Sequence, residues 1–274
     1  RRLQTEAPGG PETLRLADVP PPVPGPGELL VRVKACAINY PDVLVIEDKY
    51  QYRPPRPFAP GGEVSAVVEG LGPDVTDFAP GDPVMALTLS GGLAEMMVLP
   101  AVKAHKVPDI LSDTEAAALL MTYGTTIYAL LDRGQLEAGQ TLLVLGAAGG
   151  VGIAAIELGK AVGARVVAAV SSGAKAAVAR ETGAGEVLVY PRGPFDKDRI
   201  KALAAQFKAA VGPDGADVIY DPVGGDYAEP ALRSIAWQGR YLVVGFPAGI
   251  PRMPLNLVLL KGCDIRGIFW GECL

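Results

Sequence analysis

Residues 142–152 read Leu-Leu-Val-Leu-Gly-Ala-Ala-Gly-Gly-Val-Gly, and an alanine-rich stretch continues to Val162. Four apolar residues running into a glycine cluster that opens a helix predict a buried strand, a tight turn and a helix over Gly150–Val162. This is the unit that binds dinucleotides. A helix N-terminus leaves backbone N–H groups without partners and carries partial positive charge, and both suit a pyrophosphate. Ala147 stands where the first glycine of a G-x-G-x-x-G fingerprint is expected. Gly149 lets the backbone approach the phosphates, Gly152 permits close helix–strand packing, and Gly150 and Val151 complete the turn. A second strand, Arg165–Val170, ends in Ser171-Ser172-Gly173-Ala174-Lys175. NADH sites place Asp or Glu there for the ribose hydroxyls. Here two hydroxyls and a lysine replace the acid, a set that suits a 2′-phosphate, so the expected cofactor is NADPH.

Around this centre strands and helices alternate. Strands are expected at Thr141–Gly146, Arg165–Val170, Glu186–Tyr190, Ala216–Asp221, Gly239–Gly245 and Cys263–Trp270. Helices are expected at Gly150–Val162, Ala174–Thr182, Asp196–Ala210 and Tyr227–Ala236. Continuous apolar strands between helices indicate a parallel sheet covered on both faces, an α/β doubly wound Rossmann arrangement. The first third is different. Short strands at Leu29–Ala35, Glu63–Gly70, Val84–Leu87 and Ala94–Leu99, with Gly/Pro turns between them, suggest a compact β-barrel. Ser112 and Glu115 form a capping box for a helix over Glu115–Leu120, and a second helical stretch is expected at Ile127–Leu131. The domain boundary is therefore expected at 112/113: a β domain over 1–112 and a dinucleotide domain over 113–274.

Composition narrows the function. A net charge of −5 gives no basic surface for nucleic acid. No uncharged stretch reaches the ~20 apolar residues of a membrane span. No apolar signal core follows the N-terminal Arg-Arg-Leu-Gln-Thr-Glu. Cys36, Cys263 and Cys273 are dispersed without a CxxC, as expected of buried thiols in a reducing, cytoplasmic setting. The single histidine, His105, lies between lysine-flanked surface positions. One His and scattered Cys make no conventional zinc site, so no metal is expected. No Tyr-x-x-x-Lys pair of a short-chain dehydrogenase occurs.

Taken together, Ala-Ala-Gly-Gly-Val-Gly, the strand ending Val-Ser-Ser, and Leu-Leu-Lys-Gly-Cys-Asp-Ile-Arg-Gly-Ile-Phe-Trp-Gly at 259–271 resemble the zinc-independent quinone oxidoreductases. These are the zeta-crystallin-like branch of the medium-chain dehydrogenase/reductases. Val31–Asp42 and Pro60-Gly61-Gly62-Glu63-Val64 extend the resemblance to the N-terminal third. It implies a GroES-like β-barrel before the Rossmann domain, with NADPH in the cleft between them. Zinc-dependent relatives hold the metal with a Cys where Asn39 stands and a His where Gly62 stands. The resemblance implies catalytic or substrate-contact roles for Asn39, Tyr50 and Thr125. It places Tyr190 beside Lys175 at the adenosine phosphate, and Gly245-Phe246 and Phe269-Trp270 in loops over the cofactor. Some relatives carry a tyrosine five residues after the asparagine, where this chain has Leu44. Family chains continue past the Phe-Trp-Gly strand to complete the barrel, a continuation this sequence lacks. The implied reaction is hydride transfer from NADPH to a quinone or an enone. An enoyl- or acryloyl-thioester reductase and a catalytically silent NADPH-binding structural protein are the alternatives. A homodimer through the Rossmann edge strand is implied as well.

Overall fold

The computed structural model describes residues 1–273, with side chains through residue 271. It resolves into two compact units, Arg1–Met121 and Thr122–Leu274. The division falls nine residues beyond the expected 112/113. The capped helix belongs with the first unit because its Asp113 carboxylate accepts a hydrogen bond from Ser65 Oγ at 3.1 Å.

The first unit is antiparallel. A short hairpin pairs β1 (Arg2–Gln4) with β2 (Arg15–Ala17). A larger sheet contains β3 (Glu28–Ala37), β4 (Glu63–Leu71), β5 (Pro83–Leu87), β6 (Met96–Pro100) and β7 (Ala104–Lys106), in the order β6-β3-β4-β5-β7. Alternate residues of each strand face one core: Leu29 and Val31 from β3, Val64, Ala66 and Val68 from β4, Val84 and Ala86 from β5. Two helices punctuate the sheet, α1 (Tyr40–Ile46) after β3 and α2 (Asp113–Ala116) after β7. The capping box expected at Ser112 and Glu115 starts α2, with Ser112 Oγ accepting from the Glu115 N–H. His105 is exposed on β7.

Two separate helical stretches were expected between Glu115 and Leu131. The chain instead winds on through wide turns at Leu120–Gly124, a single α turn α3 (Thr125–Ile127), and a second wide segment at Tyr128–Arg133. The second unit then alternates β8 (Thr141–Leu145), α4 (Gly150–Val162), β9 (Arg165–Val170), α5 (Gly173–Glu181), β10 (Glu186–Val189), α6 (Lys197–Val211), β11 (Ala216–Asp221), α7 (Ala228–Leu232), β12 (Ile235–Val243), α8 (Leu255–Lys261) and β13 (Asp264–Gly267). All six strands are parallel, in the order β10-β9-β8-β11-β12-β13. This is the doubly wound order, with its switch point between β8 and β11. The central strand shows why its sequence is apolar throughout. Leu142 and Val144 enter one core, Leu143 and Leu145 the other, and all four are fully buried.

Three expectations for this unit need correction, and the first is the strand expected over Cys263–Trp270, which runs only over Asp264–Gly267. The helix expected to reach Ala236 ends at Leu232, and β12 begins at Ile235, four residues before the expected strand start at Gly239. Ser234 closes the helix by donating its hydroxyl to the Ala231 carbonyl at 2.7 Å, while the Ser234 carbonyl accepts from the Ala216 N–H of β11. The strand then kinks at Gln238, at φ 58°, which hid its first half from a period-two reading. Helix α8 was not expected; Pro254 precedes it and Gly262, at φ 54°, ends it.

Candidate functional site

The turn after β8 is built from backbone. Gly146 takes φ 58° and so supplies the left-handed residue that the fingerprint assigns to the position of Ala147, which is fully buried. Gly149 is the N-cap of α4 and has no side chain to cap it. Gly150, Val151 and Gly152 form the first helical turn, whose N–H groups have no carbonyl one turn back. Gly152 is sterically required. A Cβ there would lie 2.5 Å from the Gly146 carbonyl oxygen and 2.7 Å from Ala147 Cα. At Gly149 the nearest atom to an added Cβ would be that same oxygen at 3.4 Å, so the surface there is open. This cradle fits a pyrophosphate.

A cleft of about 560 Å³ opens beside the turn, at the carboxyl ends of the strands. Its wall brings together Gly146 with three of the residues proposed from sequence, Ser171, Lys175 and Tyr190. Tyr190 is almost fully buried and lies 5.0 Å from the Tyr227 ring, centroid to centroid. Burial pushes its phenol up to about 12, partly offset by the Gly146 N–H facing the hydroxyl. Ser172 does not line the cleft. Its Oγ accepts the Lys175 N–H at 3.3 Å and caps α5.

Sequence reasoning missed Arg192, Val223, Asp226, Tyr227 and Pro247, which also line this cleft. Each follows the end of a strand or a neighbouring helix, so the signal available was position at the carboxyl edge of the sheet. Asp221 was missed as well. It is fully buried, and its carboxylate accepts from Tyr241 Oη at 2.6 Å, the Val223 N–H at 2.8 Å and the Gly224 N–H at 2.9 Å. Burial raises its pKa; those three hydrogen bonds oppose the rise.

The other expected cofactor residues do not line this cleft. Phe246 is half exposed in the loop after β12, where its neighbours Pro247 and Ala248 form the wall and Gly245 does not. Phe269 is also exposed, and Trp270 packs its ring against Gly124. Next to Gly124, Thr125 opens α3. Its hydroxyl has no hydrogen-bond partner among the described residues, whereas Thr126 is buried and bonds the Thr122 carbonyl at 2.7 Å and Tyr220 Oη at 3.0 Å.

In the first unit, Asn39 is the N-cap of α1 in a capping box with Asp42. The Asp42 carboxylate accepts the Asn39 N–H at 2.7 Å and the Gly61 and Gly62 N–H groups at 3.0 and 3.1 Å. Asn39 Nδ2 donates to Glu63 at 2.9 Å. Tyr50 is half buried against Val45, Ile46 and Phe58, and burial raises its pKa. Cys36 is half buried and its thiol is pushed up to about 12, chiefly by burial. Cys263 is buried; the side chain of Cys273 lies outside the described residues.

Residues 25–109 match the alcohol dehydrogenase GroES-like domain, and residues 150–273 match a family described as zinc-binding dehydrogenase. The chain is 40% identical over 250 residues to the quinone oxidoreductase-like protein 2 homolog of Nematostella vectensis, covering 90% of this chain and 66% of that protein. It is 38% identical to quinone oxidoreductase-like protein 2 of Rattus norvegicus, covering 95% and 73% respectively. It thus spans about two thirds to three quarters of the length of these curated relatives. The quinone oxidoreductase of Thermus thermophilus, solved also in complex with NADPH, superposes with a TM-score of 0.81 at 32% identity, covering 99% of this chain and 81% of that one.

The zinc in that family description does not fit the donors present. Asn39 has committed an amide hydrogen to Glu63, and the Asp42 carboxylate is occupied by three backbone N–H groups. At Gly62 even a Cβ would press on the Leu89 backbone at 3.1 Å, leaving no room for an imidazole. Among the described residues no three of His, Cys, Asp and Glu cluster as metal ligands.

Proposed function

This chain belongs to the zinc-independent quinone oxidoreductase branch of the medium-chain dehydrogenase/reductases, and from that premise we propose that it binds NADPH and reduces a quinone or the activated double bond of an enone. The observation that carries the reading is the cleft beside the glycine turn. It gathers Ser171 and Lys175 after β9, where an NADH site would hold an acid, with Tyr190 and Arg192 after β10 and Asp226 on the opposite turn. Cations and a hydroxyl after β9 meet a 2′-phosphate, and an acid at that strand end would repel it; the one acid of the cleft, Asp226, follows β11 and accepts the Phe195 N–H at 3.3 Å.

The nicotinamide, when bound, supplies the hydride. The chain does the rest. N–H groups of the first turn of α4 hold the pyrophosphate, and Lys175 and Arg192 hold the 2′-phosphate. Tyr190 and Tyr227 pack the adenosine. The Thr125 hydroxyl orients the nicotinamide amide. The loops carrying Gly245-Phe246 and Phe269-Trp270 cover the cofactor. Asn39 and Tyr50 polarise the acceptor's carbonyl oxygen, and the closing proton comes from water.

We extend the proposal to a homodimer and to the reducing cytoplasm, the latter from the dispersed cysteines. Strand β13 ends the sheet, and the neighbouring α8 exposes Leu255, Leu259 and Leu260 at 71%, 80% and 68%. A second copy added along that edge would pair the strand and cover the leucines. Among the described residues no helix is long and apolar enough to cross a membrane.

The test is a titration of wild type and Lys175→Ala with NADPH and NADH, followed by NADPH oxidation with 1,4-naphthoquinone and with a simple enone. Wild type should prefer NADPH. Lys175→Ala should lose about tenfold in NADPH affinity, about 1.4 kcal/mol, with NADH binding unchanged. Equal loss for both nucleotides would show that Lys175 does not read the phosphate.

A further inference from the structure

Glu63 is fully buried in the first unit. Its carboxylate is met from two sides. One oxygen accepts Asn39 Nδ2 at 2.9 Å. The other accepts the Met121 N–H at 2.8 Å, and the Leu120 N–H also faces the group. Met121 is the last residue of this unit, so Glu63 joins the capping residue of α1 to the end of the unit's chain.

The chemistry of a primary amide makes this consequential. Asn39 carries an oxygen that accepts and a nitrogen with two hydrogens to donate. Turning the amide over by a half rotation exchanges the two ends with almost no change of shape. Something must therefore choose which end faces which way. A carboxylate only accepts, and backbone N–H groups already address it from its other side. Asn39 can meet it only with its nitrogen. The capping box turns the Asn39 oxygen toward the first turn of α1 without a cap hydrogen bond there, the Asp42 N–H bonding the Asn39 backbone carbonyl at 3.0 Å. One nitrogen hydrogen goes to Glu63, and the second is the donor Asn39 has left to offer.

Resting on the oxidoreductase reading above, we propose that Glu63 is a positioning residue that locks Asn39 as a hydrogen-bond donor for the carbonyl oxygen of the quinone or enone. A neutral amide at position 63 removes the lock. In Glu63→Gln the new amide's oxygen would satisfy the backbone N–H groups, and its nitrogen would face Asn39, which must then turn its own oxygen inward. The donor sense of the site is scrambled while its volume is kept.

The experiment compares wild type, Glu63→Gln, Glu63→Asp and the double variant Asn39→Asp/Glu63→Gln, all as the full chain. The readouts are NADPH affinity, Tm, kcat and KM with 1,4-naphthoquinone, and the Asn39 side-chain NH2 signals in a ¹⁵N–¹H spectrum. In wild type one NH2 proton should be shifted downfield by the carboxylate. In Glu63→Gln that shift should vanish and kcat should fall about tenfold to a hundredfold, with NADPH affinity within about twofold of wild type. The double variant restores a donor–acceptor pair with reversed polarity, so it should regain Tm but not kcat. Glu63→Asp keeps the charge at shorter reach, and it serves if the Gln variant fails to fold. It should lower kcat while retaining part of the downfield shift. Unchanged NH2 signals in a folded Glu63→Gln, or recovery of kcat in the double variant, would overturn the proposal. A wild type that binds NADPH but reduces no quinone or enone would overturn the enzymatic reading instead, and the NH2 signals would still decide whether Glu63 orients Asn39.

Discussion

The chain turns from strand toward helix after β8 and again after β11, two neighbouring parallel strands of one sheet, and the two turns are built in opposite ways. After β8, Gly146 bends at φ 58° and no side chain reaches the N-terminus of α4. After β11, Gly224 and Gly225 bend at φ 70° and 56°, but here the buried Asp221 carboxylate takes the Val223 and Gly224 N–H groups for itself. One turn waits for an anion from outside, and the other closes on a carboxyl group of its own chain. The difference separates a binding surface from a wall. The closed turn holds Val223 and Tyr227 in place along the cleft that the open turn leaves beside it. They are also in close approach, since a Cβ on Gly146 would meet Val223 Cγ2 at 2.8 Å.

The contrast breaks most completely at Gly152. The atoms crowding an added Cβ there are backbone, so a neighbouring rotamer cannot relieve the clash. Gly152→Ala should cost about 3 kcal/mol of stability and weaken NADPH binding roughly a hundredfold, read by thermal unfolding and by cofactor titration. Wild-type affinity in this variant would mean that the phosphates do not sit on α4.

Asp221→Asn tests the closed turn. An amide there keeps one acceptor oxygen and sets its NH2 against a backbone N–H or the Tyr241 hydroxyl. Leaving one of these unpaired should cost about 2 kcal/mol, with a smaller loss of NADPH affinity than in Gly152→Ala. The pH dependence has a definite sign. Burial raises the Asp221 pKa in the folded protein. The folded state then holds the proton more tightly than the unfolded state, whose value is about 3.9. The stability this supplies is fully present below that value and is lost as pH rises through the raised folded pKa. Asparagine does not titrate, so the Tm advantage of wild type should be widest at the acid end and shrink as pH rises from about 4. A gap that widens with pH would show that the carboxylate, not the acid, is the favoured buried form.

The open turn was legible in the sequence and the closed one was not. Helix α4 was bounded correctly because glycine marks both ends, Gly149 before it and Gly163, at φ 88°, after it. Ser112 and Glu115 announced α2 because a capping box is local chemistry with fixed spacing. Asp221, by contrast, reads as an ordinary polar residue closing an apolar strand. Its meaning depends on Tyr241, twenty residues away on the next strand. Arg192 reaches the cleft because the segment after β10 is tied to the turn after β11, through the Gly193 N–H to Tyr227 Oη at 3.0 Å and the Phe195 N–H to Asp226 at 3.3 Å, and Glu63 opens a strand whose sequence gives no hint of Asn39. What failed was contact between elements, together with the wide helical turns at 120–133 and the kink at Gln238, where neither helical nor strand periodicity survives.

The smallest effect separates two adjacent hydroxyls, and it repeats the contrast on the scale of one side chain. Ser172 spends its oxygen on the Lys175 N–H and caps α5; Ser171, one residue earlier, lines the cleft. Ser172→Ala should therefore lower stability by about 1 kcal/mol and leave NADPH affinity nearly unchanged. Ser171→Ala should leave stability unchanged and weaken NADPH by a few-fold, the order of one hydrogen bond to a charged group in an open cleft. Thermal unfolding and titration of both variants, side by side, read the two quantities independently. If Ser172→Ala weakened NADPH more than Ser171→Ala, the cap at α5 would itself be part of the phosphate site, and the inward and outward hydroxyls would have to exchange roles.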